Sequence, residues 1–184
     1  MRFHEVDIDG MYVIDLDPFI DKRGSFVRSY CINELAKVGI KKPIIQINHS
    51  STSRVGAIRG MHFQRPPNAE VKMVRCISGE VFDVAIDLRS DSKTFLRWHG
   101  EFLTSENHKM MIIPEGFAHG FQVIKPNSEL LYLHTASFAP ELESGVSYND
   151  EKIGIEWPLN VTDISDRDLK YNKIDNKFDL KSFK

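Results

Sequence analysis

Apolar and polar residues alternate with a period of two along much of the chain. In residues 80–88 every second position is apolar, which predicts a β-strand with one apolar face and one mixed face. Because similar runs recur about every ten residues with turn signals rather than helices between them, the pattern predicts an all-β protein, an antiparallel sandwich or a jelly-roll barrel. The similar runs cover residues 11–16, 43–50, 71–78, 96–104, 109–114 and 129–138.

Helical patterns are few and short. Residues 32–38 and the glycine after them predict a short helix that ends at that glycine. Residues 165–168, Ser-Asp-Arg-Asp, have the form of a capping box, which predicts a second helix and, taken alone, assigns Asp168 to the cap. The chain has no internal repeat or linker, so we expect one domain over residues 1–184, with residues 159–184 packed over the barrel.

The composition argues against several classes of protein. The chain is 41% hydrophobic and 27% charged with a net charge of −2, so we expect neither a nucleic-acid-binding nor a membrane-attracted surface. No segment has the roughly 18 consecutive apolar residues of a membrane-spanning helix, and acidic residues throughout positions 1–20 argue against a secretory signal. Cys31 and Cys76 are too few for a disulfide framework, so we expect a cytoplasmic protein.

Histidine is the first residue type to consider for acid–base or metal chemistry near neutral pH. Two of the seven histidines, His62 and His119, lie beside glycine turns and are the candidates for a functional site. For the remaining five, we expect surface positions or structural roles in the core: His4, His49, His99, His108 and His134.

The segment around His119 contains Pro-x-Gly-x-x-His, which resembles the second motif of the cupins, a jelly-roll family. Metal-dependent cupins use His-x-His and a nearby carboxylate as their first motif, and here that position reads His62-Phe63-Gln64. Gln64 is a poor substitute for an imidazole ligand, and at most two of the usual three protein ligands can be assembled. We therefore expect no metal and favour an organic acid–base site in the barrel.

Polar residues on the predicted strands are further candidates. Arg59, Lys72, Arg75, His119 and Tyr132 fall on or beside strands that would line the mouth of a barrel. Taken alone, Lys72 is equally well explained as a solvated cation on the outer face. Tyr132 is likewise explained as a core aromatic residue with a hydrogen-bonded hydroxyl. The function is therefore indicated by the motifs jointly rather than by any one residue.

Five motifs occur together in one order: Arg59–Gln64, Lys72–Arg75, Val81–Asp87, Ile113–Phe121 and Ile155–Pro158. With them, the chain resembles the dTDP-4-dehydrorhamnose 3,5-epimerase family over nearly its whole length, residues 11–168. The resemblance implies a cupin-like jelly-roll barrel that forms a homodimer and needs no cofactor. It also implies a cytoplasmic isomerase of deoxysugar and polysaccharide biosynthesis, which acts on a nucleotide-linked 4-keto-6-deoxyhexose.

The chemistry of this family explains which residue types the site needs. A ketone at sugar C4 acidifies the C–H bonds at C3 and C5, so inversion requires a base, an acid on the opposite face and a cation for the enolate oxygen. By resemblance, His62 is the base and Asp168 orients its ring. Tyr132 is then the acid, and Lys72 is the cation that faces the enolate.

The resemblance also implies a set of substrate-binding residues. Arginine suits the diphosphate because its planar guanidinium donates two parallel hydrogen bonds. The contacts to the diphosphate and sugar are Arg23, Arg59 and His119; those on the nucleotide side are Phe26, Arg28, Gln46 and Asn48; further polar contacts are Glu143 and Arg167.

Several positions depart from the family pattern. Arg28 stands where the family has a glutamate that faces the nucleotide, and Ser137, Phe138 and Tyr148 replace residues that lie close to the sugar. These changes leave open an epimerase of one centre only, C3 or C5, or an enzyme that uses a CDP- or GDP-linked sugar. A non-catalytic or metal-binding cupin is the alternative from another class of protein.

Overall fold

The computed structural model describes residues 1–175, and its regular secondary structure consists mainly of antiparallel β-strands. Those of the first half of the chain are β1 (Arg2–Glu5), β2 (Tyr12–Asp15), β3 (Phe19–Asp21), β4 (Gly24–Phe26), β5 (Gln46–Thr52), β6 (Ile58–Gln64) and β7 (Lys72–Ser78). Those that follow are β8 (Glu80–Asp87), β9 (Trp98–Thr104), β10 (Lys109–Ile113), β11 (Phe117–Val123), β12 (Ser128–His134) and β13 (Glu143–Gly145).

Two sheets pack face to face and form the barrel. The larger sheet has the strand order β1-β2-β10-β7-β12-β5, and the smaller has the order β13-β6-β11-β8-β9. Strands β3 and β4 form a hairpin outside both sheets. The prediction of an all-β barrel with a few short helices is confirmed.

Strands β6 and β11, which carry the two histidine motifs, are absent from the predicted runs. Glycines interrupt the alternation of apolar side chains in both strands. A Cβ atom at Gly60 would lie 2.5 Å from the Cα atom of Gly120, so the two backbones meet where only glycine fits. This close contact holds together the strands on which His62 and His119 lie opposite each other.

Strand β8 is buried on both faces. This includes the face for which the sequence pattern predicts a mixture of apolar and polar side chains. Val81 and Ala85 pack between the sheets, and Val84 packs on the outside of the smaller sheet. Trp157, from a later segment, covers this outer face. Asp83, on the face expected to be mixed, is fully buried.

The two short helices coincide with the predicted ones. Helix α1 (Ile32–Leu35) continues into a 3-10 turn that ends at Gly39, whose φ of +85° is the left-handed conformation that glycine adopts readily. Helix α2 (Asp166–Leu169) begins after Ser165, whose Oγ accepts a hydrogen bond from the backbone N–H of Asp168 at 3.1 Å. The Asp168 carboxylate, however, leaves the cap and points into the barrel.

The segment that follows the last strand lies against the smaller sheet. Asp163 forms a parallel bridge with Ala57, and Ile174 is buried in the outer apolar cluster. Residues 176–184, the end of the segment predicted to cover the barrel, lie outside the described residues. Over residues 1–175, no helix has both the length and the apolar character needed to cross a membrane.

Candidate active site

A cavity of about 640 Å³ opens between the two sheets. Strands β5, β7 and β12 of the larger sheet form one wall, strands β6 and β11 of the smaller sheet form the facing wall, and α2 closes one side. Ten of the thirteen candidate residues line the cavity: Gln46, Asn48, Arg59, His62, Lys72, His119, Tyr132, Glu143, Arg167 and Asp168.

His62 and Asp168 form a hydrogen-bonded pair in the cavity. His62 Nε2 lies 2.8 Å from Asp168 Oδ1, and the other carboxylate oxygen accepts from the backbone N–H of Gly60 at 3.1 Å. Burial would raise the pKa of Asp168, but the hydrogen bond and charge of His62, the Gly60 N–H and the Arg167 charge together outweigh it and lower this pKa to about 2. Because the carboxylate is ionised, Nε2 carries the shared proton, and Nδ1 is the nitrogen that can accept one from a substrate.

Arg167 contacts both members of the His62–Asp168 pair and also Glu143. Its Nη1 donates to Glu143 at 2.8 Å, and its Nε donates to Asp168 Oδ1 at 3.3 Å. Its Nη2 lies 3.1 Å from His62 Nε2. Since Nε2 already donates to Asp168, this last contact is a close approach of two donors rather than a hydrogen bond.

Tyr132 lies on the wall that faces His62. Its hydroxyl is 3.1 Å from Ser50 Oγ, and its ring packs edge-on against His119 with 6.1 Å between ring centroids. Burial raises the pKa of Tyr132 above its ordinary value of 10, so the hydroxyl stays protonated at neutral pH. The cavity therefore presents a proton acceptor on one wall and a proton donor on the other.

The orientation of Lys72 excludes the alternative of a solvated cation on the outer face. Its side chain is 13% exposed and lines the cavity, where Nζ lies 3.5 Å from Glu70 Oε1. Arg75, three residues further along β7, is not among the lining residues and instead donates to Ser29 and His108. The expectation that Arg75 lies at the barrel mouth is therefore wrong.

His119 and Arg59 provide polar groups on the wall of the smaller sheet. His119 Nε2 lies 2.8 Å from Asp83 Oδ1, and both side chains are buried. Burial lowers the pKa of His119, and the neighbouring Asp83 charge opposes this shift only in part. Arg59 donates from Nε to Thr52 at 2.9 Å, which leaves the remaining guanidinium N–H groups available to a ligand.

Several polar residues of the site escaped the sequence analysis, among them Ser50, Glu70, Asp83 and His134. His134, expected to have an unremarkable structural role, is 7% exposed and lines the cavity. The signal that identifies it is its position two residues after Tyr132 on β12, because alternate residues of a strand share a face. Glu70 lies two residues before Lys72 and just outside β7, so strand alternation does not identify it.

Three candidate binding residues lie outside this cavity. Arg23 and Phe26 belong to the β3–β4 hairpin, where Arg23 pairs with Asp21 at 2.6 Å and Phe26 is 76% exposed. Arg28 follows the hairpin and pairs with Glu34 at 2.8 Å. None of these three side chains reaches the cavity lined by its own chain.

Within residues 1–175, no group of three or more His, Cys, Asp or Glu side chains is placed to bind a metal ion. The histidines that face each other across β6 and β11, His62 and His119, are each paired with a carboxylate of their own. The groups that converge on the cavity are a histidine base, a tyrosine donor and an ammonium cation. Together they are suited to removing and returning a proton next to a carbonyl group.

The fold and this cavity define a cupin-like barrel of the isomerase class. The family model described as dTDP-4-dehydrorhamnose 3,5-epimerase matches residues 5–176, and the chain belongs to this family. The enzyme of that name from Salmonella typhimurium is 47% identical over 153 residues, which cover 80% of this chain and 82% of the relative.

Two solved structures bear on the substrate. The Legionella pneumophila dTDP-6-deoxy-D-glucose-3,5-epimerase, in complex with dTDP-4-keto-L-rhamnose, is 35% identical with a TM-score of 0.89, covering 94% of this chain and 92% of that one. The 3'-monoepimerase ChmJ from Streptomyces bikiniensis, in complex with dTDP-quinovose, is 27% identical with a TM-score of 0.86, covering 97% and 88% of the two chains.

Proposed function

We propose that this protein inverts C3 and C5 of dTDP-4-dehydro-6-deoxyglucose and so forms dTDP-4-dehydrorhamnose. The observation that supports the proposal most directly is the facing arrangement of His62, held by Asp168, and the protonated Tyr132 on opposite walls of one cavity. A base and an acid on opposite faces of a sugar are what inversion at carbon requires.

In each half of the reaction, His62 Nδ1 removes the proton from the carbon next to the C4 ketone. The electron pair of that C–H bond moves into an enolate, whose oxygen is stabilised by the Lys72 ammonium. Tyr132 then donates its hydroxyl proton to the opposite face of the same carbon. Solvent exchange restores the starting protonation of both side chains before the second centre reacts.

Substrate binding is assigned to the polar groups around this centre. Arg59 and His119 are placed on the wall of the smaller sheet to contact the diphosphate and sugar, with Arg59 donating through its free N–H groups. Gln46 and Asn48, on strand β5, face the same cavity and are assigned to the nucleotide side. Arg167 and its partner Glu143 provide further polar contacts at the mouth.

The test is proton exchange. The protein is incubated with dTDP-4-dehydro-6-deoxyglucose in heavy water, and deuterium is located by NMR. We expect label at both C3 and C5, and we expect His62→Ala to lose both because one base serves both carbons. His4→Ala is the matched control, since His4 is exposed on β1 and pairs with Asp15 away from the cavity.

Other outcomes of the exchange experiment have defined meanings. Label at one carbon only would identify a mono-epimerase and would direct attention to Ser137, Phe138 and Tyr148. Exchange with a CDP- or GDP-linked substrate but not with the dTDP-sugar would contradict the assignment of the base and implicate Arg28. The absence of label with every nucleotide would refute the epimerase proposal.

We further propose that the protein is a homodimer whose β3–β4 hairpin reaches the cavity of the partner subunit. Phe19, Ile20 and Phe26 of this hairpin are 68%, 70% and 76% exposed, an apolar surface that a second copy would cover. The family resemblance assigns Arg23 and Phe26 to the substrate, yet both lie outside the cavity of their own chain. A hairpin supplied by the partner reconciles these two observations.

Complementation between variants tests this arrangement. His62→Ala and Arg23→Ala chains are each expected to have little activity alone. When the two variants are co-expressed, about half of the dimers contain one chain of each. In such a dimer, one of the two sites combines an intact His62 with an intact Arg23 from the other chain. About a quarter of wild-type activity should therefore return. No recovery, or a monomer in sedimentation analysis, would contradict the proposal.

The organisation of the chain fits this function. We propose that residues 1–184 form a single epimerase domain, with the segment after residue 159 supplying Asp168 to the site. We also propose that the protein acts in the cytoplasm, because Cys31 and Cys76 are both free thiols.

A further inference from the structure

A chain of hydrogen bonds runs through the cavity wall to Lys72. The backbone N–H of Phe138 donates to Gln46 Oε1 at 2.9 Å, and Gln46 Nε2 donates to Asn48 Oδ1 at 3.2 Å. Asn48 Nδ2 lies 3.3 Å from His134 Nε2. The chain continues at the other ring nitrogen, since His134 Nδ1 lies 2.7 Å from Glu70 Oε2.

The direction of every bond in this chain follows from its first member. A backbone N–H can only donate, so Phe138 fixes which end of the Gln46 amide is oxygen, and Gln46 fixes the orientation of Asn48. Asn48 must then donate to His134 Nε2, which makes that nitrogen an acceptor. The ring proton of His134 therefore lies on Nδ1 and is donated to Glu70.

Glu70 connects this chain to the catalytic cation. Its Oε1 lies 3.5 Å from Lys72 Nζ, and both side chains are largely buried, with exposures of 11% and 13%. Burial would raise the pKa of Glu70, but the His134 hydrogen bond and the Lys72 charge outweigh it, so this pKa lies below its ordinary value. Glu70 is thus an anion beside Lys72 at neutral pH.

The same residues are held together by the sheet. His134 and Lys72 are directly opposite each other in the β7–β12 pair, and the His134 ring stacks on Tyr132 with 6.2 Å between centroids. His134 therefore contacts the proposed acid and, through Glu70, the proposed enolate-binding cation.

We propose that Glu70 and His134 are positioning residues for Lys72, with the δ-protonated His134 holding the Glu70 carboxylate against the lysine ammonium. This inference rests on the proposed function, in which Lys72 stabilises the enolate. It assigns to this chain two residues that act on the enolate through Lys72.

A double-mutant cycle tests the pairing. Glu70→Gln should lower kcat roughly tenfold or more, with KM changed less than about twofold, because the substrate contacts remain. In a Lys72→Gln background, the same Glu70→Gln change should cost less than about twofold, since no ammonium is left to position. Equal losses in both backgrounds would overturn the inference.

Glu101→Gln is the matched control for Glu70→Gln. Glu101, on β9, likewise lies beside a lysine and a histidine, with Lys109 Nζ at 2.8 Å and His99 Nε2 at 3.8 Å, and none of these three residues lines the cavity. We expect its kcat and KM to equal those of the wild type. A loss in Glu101→Gln similar to that in Glu70→Gln would mean that removing any such group disturbs the barrel.

Nitrogen NMR of the imidazole provides a readout that does not depend on turnover. The wild type should show His134 with a proton on Nδ1 and none on Nε2, and Glu70→Gln should change this signal. A proton on Nε2 would overturn the inference while leaving the epimerase proposal intact. If Lys72→Gln retains wild-type kcat, the proposed role of Lys72 fails and the positioning role of Glu70 fails with it, whatever the NMR result.

Discussion

The Asp168 carboxylate accepts three hydrogen bonds, which an asparagine of the same shape cannot all accept. Oδ1 faces His62 Nε2 at 2.8 Å, and Oδ2 faces the backbone N–H of Gly60 at 3.1 Å. In Asp168→Asn, one of these positions becomes an NH₂ group. Arg167 Nε also donates to Oδ1, at 3.3 Å, but its side chain is 55% exposed and can move away, whereas the Gly60 N–H is a fixed backbone donor. We therefore expect the asparagine oxygen to face Gly60 and its NH₂ group to face His62.

This orientation reverses the proton arrangement on His62. Nε2 must accept a hydrogen bond from the asparagine, so the ring proton moves to Nδ1, the nitrogen that takes the substrate proton in the proposed reaction. We expect kcat to fall by about two to four orders of magnitude, the usual contribution of a general base. KM should change little, because Arg59 and His119 are untouched.

The same substitution also lowers stability. The pKa of Asp168 is lowered from 3.8 to about 2, and at about 1.4 kcal/mol per pKa unit the native state stabilises the ionised form by about 2.5 kcal/mol. Because the folded-state pKa is the lower one, this stabilisation is complete above pH 3.8 and is lost as the pH falls through about 2. Asp168→Asn should therefore reduce the free energy of unfolding at neutral pH by about 2 kcal/mol, and by less in acid.

Deuterium incorporation at C3 and C5, urea unfolding at several pH values and nitrogen NMR of His62 measure these effects. Ser165→Ala is the control, since it removes the cap of α2, worth about 1 kcal/mol, and leaves the Asp168 carboxylate in place. We expect this control to retain kcat within about threefold. Retention of kcat by Asp168→Asn, or a His62 Nδ1 that stays unprotonated in it, would refute the reasoning.

Three further predictions concern the acid, the strand contact and the thiols. Tyr132→Phe should impair net inversion more than deuterium exchange, because protons can still leave and return on the His62 face; equal losses would assign Tyr132 to positioning. Gly120→Ala should lower stability by about 1–3 kcal/mol and reduce activity, since its Cβ would lie 2.6 Å from the backbone of β6; unchanged unfolding would contradict this close packing. In the native protein, iodoacetamide should label Cys31 but not the fully buried Cys76, whose pKa burial raises to about 11, and mass spectrometry should find both labelled after denaturation.

The local patterns of the sequence predicted both helices and many of the strands, but not β6 and β11. Period-two alternation predicted strands that lie in both sheets, and a glycine marked the end of α1, because strand pleating and helix capping are properties of neighbouring residues. The family resemblance that the ordered motifs carry implied His62, Lys72, Tyr132 and Asp168 as site residues, and all four line one cavity.

Only the tertiary structure decided which faces are inside and which distant residues meet. Alternation shows that Tyr132 and His134 share a face of β12, but the packing of the second sheet determines that this face lines a cavity. Asp168 is 106 residues from His62 in the chain, and its carboxylate serves the histidine rather than the cap because the C-terminal segment folds back onto β6. Such contacts depend on how whole sheets assemble, so no window of neighbouring residues contains them.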